Sequence, residues 1–318
     1  MRIGILGAGG VGGYDGAVLS RSGNEVRLLA RGAHLEAIRR EGLRVQDPDG
    51  EWVARVPATD DPAELRGVEL VLVTVKSYHL DAVGPAAADL ARHGATVVPF
   101  LNGVEAAERL EQLGVPHQSL LGGLTAVSNE RTGPGRVVRK SSFNRVVVGE
   151  LAGGTSPRAT AIAEVFTAAG FQARASAEMQ LDLWRKFAFI TTMASCCGLS
   201  RTSIGPLRAA PLGQTLLERA TAESVAVGRA LGIPFAADEV KRVLDQVASM
   251  ADGMRPSFLL DVERGGPTEL DVLGGAVSRL GRQVGVPTPV HDTAVAAFGA
   301  ALGLAVGEQP AGGPRTPG

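Results

Sequence analysis

The chain opens MRIGILGAGGVGGYDGAVLSRSGNEVRLLARG over residues 1–32, and within it Gly7-Ala8-Gly9-Gly10-Val11-Gly12 spells G-x-G-x-x-G. Glycines at that spacing either cradle a nucleotide or merely allow a tight turn. The flanks decide: a strand must precede, a helix follow, and a second strand end about 20 residues on with a residue that reads ribose or phosphate. Arg2 to Leu6 is a short apolar strand, and from Gly12 to Ser22 the chain runs with helical spacing, carried by Val11, Tyr14, Val18 and Leu19. Glu25 to Ala30 (EVRLLA) is a second strand. In such a unit the glycines admit backbone close to a pyrophosphate, and the helix N-terminus offers N–H groups and a positive dipole end. Gly7, Ala8, Gly9, Gly10, Val11 and Gly12 are therefore read as cofactor-binding.

The tip of the second strand selects the cofactor. An acidic residue there would bond the ribose hydroxyls of NAD. The chain instead reads Leu28-Leu29-Ala30-Arg31-Gly32. Arginine pairs with phosphate through a planar, bidentate fork, so Arg31 predicts NADPH; the plain alternative is an exposed loop arginine. Lys76 follows the run LVLVTV and Asn102 follows VVPFL, both at the carboxyl ends of predicted strands, where doubly wound sheets bind ligands. Either could be a simple strand-end residue, and Asn102-Gly103 a turn, but together at one edge they predict cofactor contact.

Further along, His34 to Glu41 reads as helix, and Leu43 to Val56 as a hairpin around Asp47-Pro48-Asp49-Gly50. Leu70 to Val75 is a continuous apolar run, as in a strand buried on both faces. Helix-like Leu80 to Arg92 and a strand from Thr96 to Leu101 follow. This alternation predicts an α/β fold with a parallel, doubly wound sheet. Residues 119–149 break into short strand-like pieces, and Ser156 to Ala169 is one more helix. Beyond about Ala175 the pattern is almost wholly helical: Glu178 to Cys197, Leu212 to Leu231, Ala237 to Met250 and Asp271 to Val284. The expected organisation is a nucleotide-binding domain over 1–175, a helical domain over 176–306, and a Gly/Pro-rich disordered tail over 307–318.

Bulk properties narrow the class. At 318 residues, with 45% hydrophobic and 20% charged residues, the chain has the make-up of a soluble protein of about two domains. A formal net charge of −1 gives no general pull toward nucleic acid or anionic membrane. The longest apolar stretch, Phe187 to Leu199, is too short and too rich in Thr, Ser and Gly to span a bilayer. Adjacent Cys196 and Cys197 make neither a disulfide framework nor a metal site, and they fit a reducing cytoplasm, most simply as small hydrophobes in a buried helix. No metal is expected.

Several motifs in order resemble the ketopantoate reductase family: GAGGVGGYDGA, VKSYH, LNGVE, LWRKF, RPSFLLDVERGGPTELDVLGGAV and GVPTP. The resemblance runs from Arg2 to about Leu302. It implies a Rossmann domain joined to an all-helical domain similar to that of 6-phosphogluconate dehydrogenases, and NADPH-dependent reduction of a 2-oxo acid to a 2-hydroxy acid, as in pantothenate biosynthesis. It makes Lys186 the catalytic lysine and Glu269 its acidic partner. It gives Ser257 a contact with the substrate carboxylate, and Asn102 contacts with cofactor and substrate. On the residues alone, Lys186 beside Arg185 on an amphipathic helix would be a snorkelling side chain. Likewise Thr268 with Asp271 resembles a capping box, with Glu269 a favourable first-turn acid.

Where the family carries asparagines four and eight residues after the lysine, this chain has Ile190 and Ala194, and Met254 stands where a third asparagine would be three residues before the serine. A pocket without those amides cannot select for a substrate hydroxyl in the same way. Thr191, Thr192 and Ser195 offer substitute hydroxyls. The expected substrate is therefore ketopantoate or a less polar 2-oxo acid. The alternatives are an opine-type imine reductase and a non-catalytic NADPH sensor, the latter disfavoured because a sensor needs neither Lys186 nor Glu269. The helical half offers apolar surface for a homodimer.

Overall fold

The computed structural model describes residues 1–301; the tail expected over 307–318 lies outside them. In chain order the regular elements are β1 (Arg2–Leu6), α1 (Gly10–Arg21), β2 (Glu25–Leu29), α2 (Gly32–Glu41), β3 (Leu43–Asp47), β4 (Gly50–Ala54), β5 (Ala58–Thr59), β6 (Leu70–Val73), α3 (Leu80–Arg92), β7 (Thr96–Pro99) and α4 (Ala106–Gln112). They continue with β8 (Gly122–Ala126), β9 (Asn129–Gly133), β10 (Arg136–Arg139), β11 (Arg145–Gly149), α5 (Pro157–Ala168), β12 (Gln172–Ser176) and α6 (Met179–Ser200). Then follow α7 (Ile204–Ala209), α8 (Gly213–Ala230), α9 (Glu239–Ala248), α10 (Ser257–Arg264), α11 (Ala276–Val284) and α12 (Pro289–Ala301).

The described residues divide into two compact units, Met1–Phe187 with Gly232–Phe235, and Ala188–Leu231 with the described residues from Ala236. The first is built on a parallel five-stranded sheet in the order β5-β2-β1-β6-β7. Strand β6 shows why this sheet is covered on both sides. Leu70 and Leu72 pack into one apolar cluster with α1 residues Tyr14, Ala17 and Leu19. Val71 and Val73 point the other way, into a second cluster with Leu80, Ala87 and Leu90 of α3. All four are at most 1% exposed, so each strand residue is desolvated whichever face it serves, worth roughly 1.5–3 kcal/mol per large apolar side chain.

The short strands expected over 119–149 form two smaller sheets. One runs β4-β3-β10-β9 and contains the expected hairpin as the pair β3/β4; the other runs β12-β11-β8. The domain boundary expected at 175/176 falls inside β12, whereas contacts divide the chain within α6. The physical reason is that α6 is one continuous helix serving both units. Its first turns, through Met179 and Leu183, pack on Leu124 and Val147 of the first unit. Beyond Phe187 it supplies Met193, Cys196 and Cys197 to one cluster of the second unit and Ala194 to another.

In the second unit, hydroxyl pairs join α6 to α8: Thr191 Oγ1 to Ser224 Oγ at 2.9 Å, and Thr192 Oγ1 to Thr221 Oγ1 at 3.1 Å. Glu223 of α8 accepts from the backbone N–H groups of Val290 and His291 at 2.8 and 3.1 Å, and its Oε2 lies 2.7 Å from His291 Nδ1. The carboxylate thus satisfies first-turn donors of α12 from a neighbouring helix. No helix among the described residues is long and apolar enough to cross a membrane.

Candidate active site

The site begins with the turn between β1 and α1. Gly7 has φ +109°, and a Cβ there would lie 2.6 Å from Val75 Cγ1. At Gly12 a Cβ would meet Thr74 Oγ1 at 2.1 Å and the Gly7 carbonyl oxygen at 2.3 Å. Gly9 is different: a Cβ there meets nothing within 4 Å. The first glycine turns the chain, the third lets α1 press on the sheet, and the middle one leaves the backbone open on the outer side. These are the requirements of a pyrophosphate cradle. Gly10, a variable position of the motif, is also constrained here, because a Cβ would lie 2.7 Å from the Asn129 carbonyl oxygen of β9.

The loop carbonyls are turned inward. Thr74 Oγ1 donates to the Gly7 oxygen at 2.8 Å, and the buried His34 ring donates from Nε2 to the Ala8 oxygen at 2.7 Å. The first bond inside α1 runs from Gly13 N–H to the Gly9 oxygen, and no side chain caps the helix. The N–H groups of Gly10, Val11 and Gly12 therefore have no acceptor within the helix, and no first-turn acid competes for an anion there. The turn fits a dinucleotide pyrophosphate.

The other expected cofactor residues meet at the same edge of the sheet. Arg31 stands just past β2, exposed, at the N-cap of α2. Its charge reaches His79, whose pKa is pushed below the ordinary value first by burial and then by Arg31. Lys76 follows β6, half-buried, and precedes a short turn over Ser77–His79. Asn102 follows β7, half-buried, and the next residue, Gly103, has φ +92°. Strands β1, β2, β6 and β7 are parallel neighbours, so their carboxyl ends bring these residues to one edge.

Lys186 lies in the first unit, half-buried on α6 between two anchors: Trp184 and Phe187 are 4% and 1% exposed and meet edge-on at 5.3 Å. The start of this helix is fastened by Asp182, which accepts from Arg174 Nη2 at 2.6 Å and Ser176 Oγ at 2.5 Å. Ser257 and Glu269 belong to the second unit. Ser257 is exposed at the first position of α10, and Glu269 is buried at the turn before α11. Their immediate neighbours Phe258 and Leu270 share one apolar cluster with Ala194.

Two readings of the sequence are corrected. The capping box at Thr268 and Asp271 does not form: a π turn over Asp271–Gly275 precedes α11, begins at Leu270, and has no side-chain cap. Thr191 and Thr192 are not substitute substrate hydroxyls, since both are fully buried and bonded to α8. The cysteines pack as small hydrophobes, and burial pushes both thiols up, that of Cys197 to about 11. Sequence reasoning missed Thr74 and His34. Thr74 lay inside an apolar run and His34 inside a helical one, and neither pattern says which carbonyl a side chain meets.

Comparison with known proteins agrees with this geometry. The family Ketopantoate reductase PanE/ApbA matches residues 3–153, and its C-terminal counterpart matches residues 178–301. The chain belongs to the ketopantoate reductase family. A 2-dehydropantoate 2-reductase of Halobacterium salinarum is 33% identical over 297 residues, covering 92% of this chain and 96% of the relative. The crystal structure of 2-dehydropantoate 2-reductase from Geobacter metallireducens superposes with a TM-score of 0.87 at 26% identity, covering 95% of this chain and 100% of that one. A ternary structure of D-mandelate dehydrogenase with NADH and anilino(oxo)acetate gives 0.86 at 25% identity, covering 96% and 100%. The ketopantoate reductase family reduces 2-oxo acids with NADPH, and this member is an NADP-dependent oxidoreductase acting on CH–OH groups.

Proposed function

We propose that this reductase converts a 2-oxo acid less polar than ketopantoate into the corresponding 2-hydroxy acid. The observation that carries the reading is Ala194, eight residues beyond Lys186, 3% exposed and packed with Phe258, Leu270 and Leu273. Ile190 packs against the same cluster and Met254 against its neighbour, so none of the three offers the amide found in the family. The D-mandelate dehydrogenase neighbour, in complex with an oxoacetate bearing an anilino group, supports an apolar substituent on the acid.

In this reading residues 1–175 hold the cofactor and 176–306 supply the substrate contacts other than that of Asn102. Arg31 pairs with the 2′-phosphate, the Gly7–Gly12 turn receives the pyrophosphate, and Lys76 and Asn102 contact the cofactor at the strand ends. Bound NADPH supplies the hydride. Lys186 places an ammonium beside the carbonyl oxygen, stabilises the negative charge that develops there, and delivers the proton that completes the alcohol. Glu269, the acidic partner, hydrogen-bonds the reacting oxygen and helps position the lysine. Ser257 holds the carboxylate, and Asn102 also contacts substrate.

The test is NADPH oxidation with a panel of 2-oxo acids, ketopantoate among them, with and without an amine. Higher kcat/KM for alkyl or aryl 2-oxo acids than for ketopantoate is expected. Preference for ketopantoate overturns the substrate reading, and turnover only with an amine moves it to imine reduction. Lys186→Ala is expected to lower kcat by several orders of magnitude with NADPH affinity near normal; retained turnover removes Lys186 from the chemistry. Arg31→Ala is expected to lower the preference for NADPH over NADH by about tenfold or more, the scale of a charge-assisted phosphate contact. An unchanged ratio of the two affinities refutes that role.

A further inference from the structure

His34 is buried to 5% exposure on α2, yet both ring nitrogens are engaged by backbone. The Gly135 N–H, from the turn between β9 and β10, donates to Nδ1 at 2.9 Å. Nδ1 must then be an acceptor, which leaves the proton on Nε2, where it is donated to the Ala8 oxygen at 2.7 Å. The tautomer is set by the backbone. Because Nδ1 accepts, it is the neutral imidazole that spans the two loops; burial holds the ring's pKa below its ordinary value, the Ala8 carbonyl pulls it back up and Arg131 of β9 adds to the lowering.

The consequence lies in the next peptide. In a trans peptide, C=O and N–H point in opposite directions, and the chain has no cis bond among the described residues. An Ala8 oxygen held inward aims the Gly9 N–H outward. Gly9 is also the loop position at which a Cβ meets nothing within 4 Å. Turned over, the same peptide would present a carbonyl dipole to an anion. A flexible glycine loop would sample both orientations, and an anion site gains from having the choice made beforehand.

We propose that His34 is a positioning residue for pyrophosphate recognition, fixing the Ala8–Gly9 peptide with its N–H toward the phosphates by bridging the Ala8 carbonyl and the Gly135 amide. This rests on the reading that NADPH binds at the Gly7–Gly12 turn. The role goes beyond the motif itself, because His34 is buried and lies outside the glycine signature.

The experiment is equilibrium binding of NADPH and of adenosine 2′-monophosphate, which lacks the pyrophosphate, to the full chain and to His34→Gln and His34→Leu, with unfolding midpoints measured alongside. Glutamine keeps a donor and an acceptor; leucine keeps volume alone. Leucine is expected to weaken NADPH by about tenfold, leave the monophosphate within about twofold, and be rescued to within about threefold by glutamine. Equal losses for both ligands, or no loss for NADPH, overturn the proposal. Where the leucine variant does not fold, His34→Ala is read by the same criteria. A wild-type protein that binds no NADPH refutes the underlying site instead.

Discussion

Asp15 is fully buried in the middle of α1, and neither carboxyl oxygen has a hydrogen-bond partner among the described residues. Burial raises its pKa to about 8, so the folded protein holds this acid protonated at pH values where the unfolded chain has released the proton. The unfolded state binds fewer protons between about pH 4 and pH 8, and stability therefore falls as pH rises through that window, by about 1.4 kcal/mol per unit. Asp15→Asn, which removes the titration at nearly constant shape, is expected to flatten the curve and to raise the unfolding midpoint at neutral pH. Denaturant melts at intervals from pH 4 to 8 check this; parallel curves for the two proteins count against it. In the sequence GGYDGAV nothing marks the residue, because helical spacing alone does not say how much of a helix is covered. The helix is in fact covered nearly all round, by the parallel sheet and by β3, β9 and β10.

Among elements, those whose apolar pattern contrasted with their flanks were legible. The apolar run from Leu70 was read as a strand buried on both faces, and β6 is one; α3 spans the residues expected, Leu80 to Arg92. Elements without that contrast went unread. Helix α12 (PVHDTAVAAFGAA) is small and apolar nearly all round, and its inward row of His291, Ala294 and Phe298 is visible only once packed. Helices α4, α7 and α10 are short, with 7, 6 and 8 residues, about two turns each, too little for the period to stand out. The helix expected from Asp271 opens instead with a π turn, where Gly275 N–H reaches the Leu270 oxygen at 2.9 Å. A side chain at Gly275 would crowd that oxygen, since a Cβ there would lie 3.0 Å from it. The glycine motif and Arg31 could be nominated for the site because their chemistry is local. Thr74 and His34 could not, because their partners are set by how distant elements meet.

At the scale of the molecule, the residues assigned to the cofactor cluster at strand ends of the first unit, whereas Ser257 stands on the second. Ser257→Ala is therefore expected to raise KM for the 2-oxo acid by about tenfold, the loss of a hydrogen bond to a charged group, with NADPH affinity changed less than twofold. Steady-state kinetics beside a cofactor titration separates the two, and a matched loss in both removes the serine from the substrate side. The bond from Gly135 to His34 spans 101 positions in sequence, and the β9 backbone that roofs Gly10, at Asn129, is more remote still. This separation carries a consequence for synthesis. A ribosome releases β1, α1 and β2 long before residue 135 emerges, so the nascent chain holds every letter of the glycine signature while its loop is still free to turn either way. The cradle hardens only when a segment of about a hundred residues closes on it, an ordering cost that grows slowly with length but comes late in translation. If His34 fixes the cradle as proposed, a fragment that stops short of Gly135 carries the motif without the bond that holds its loop.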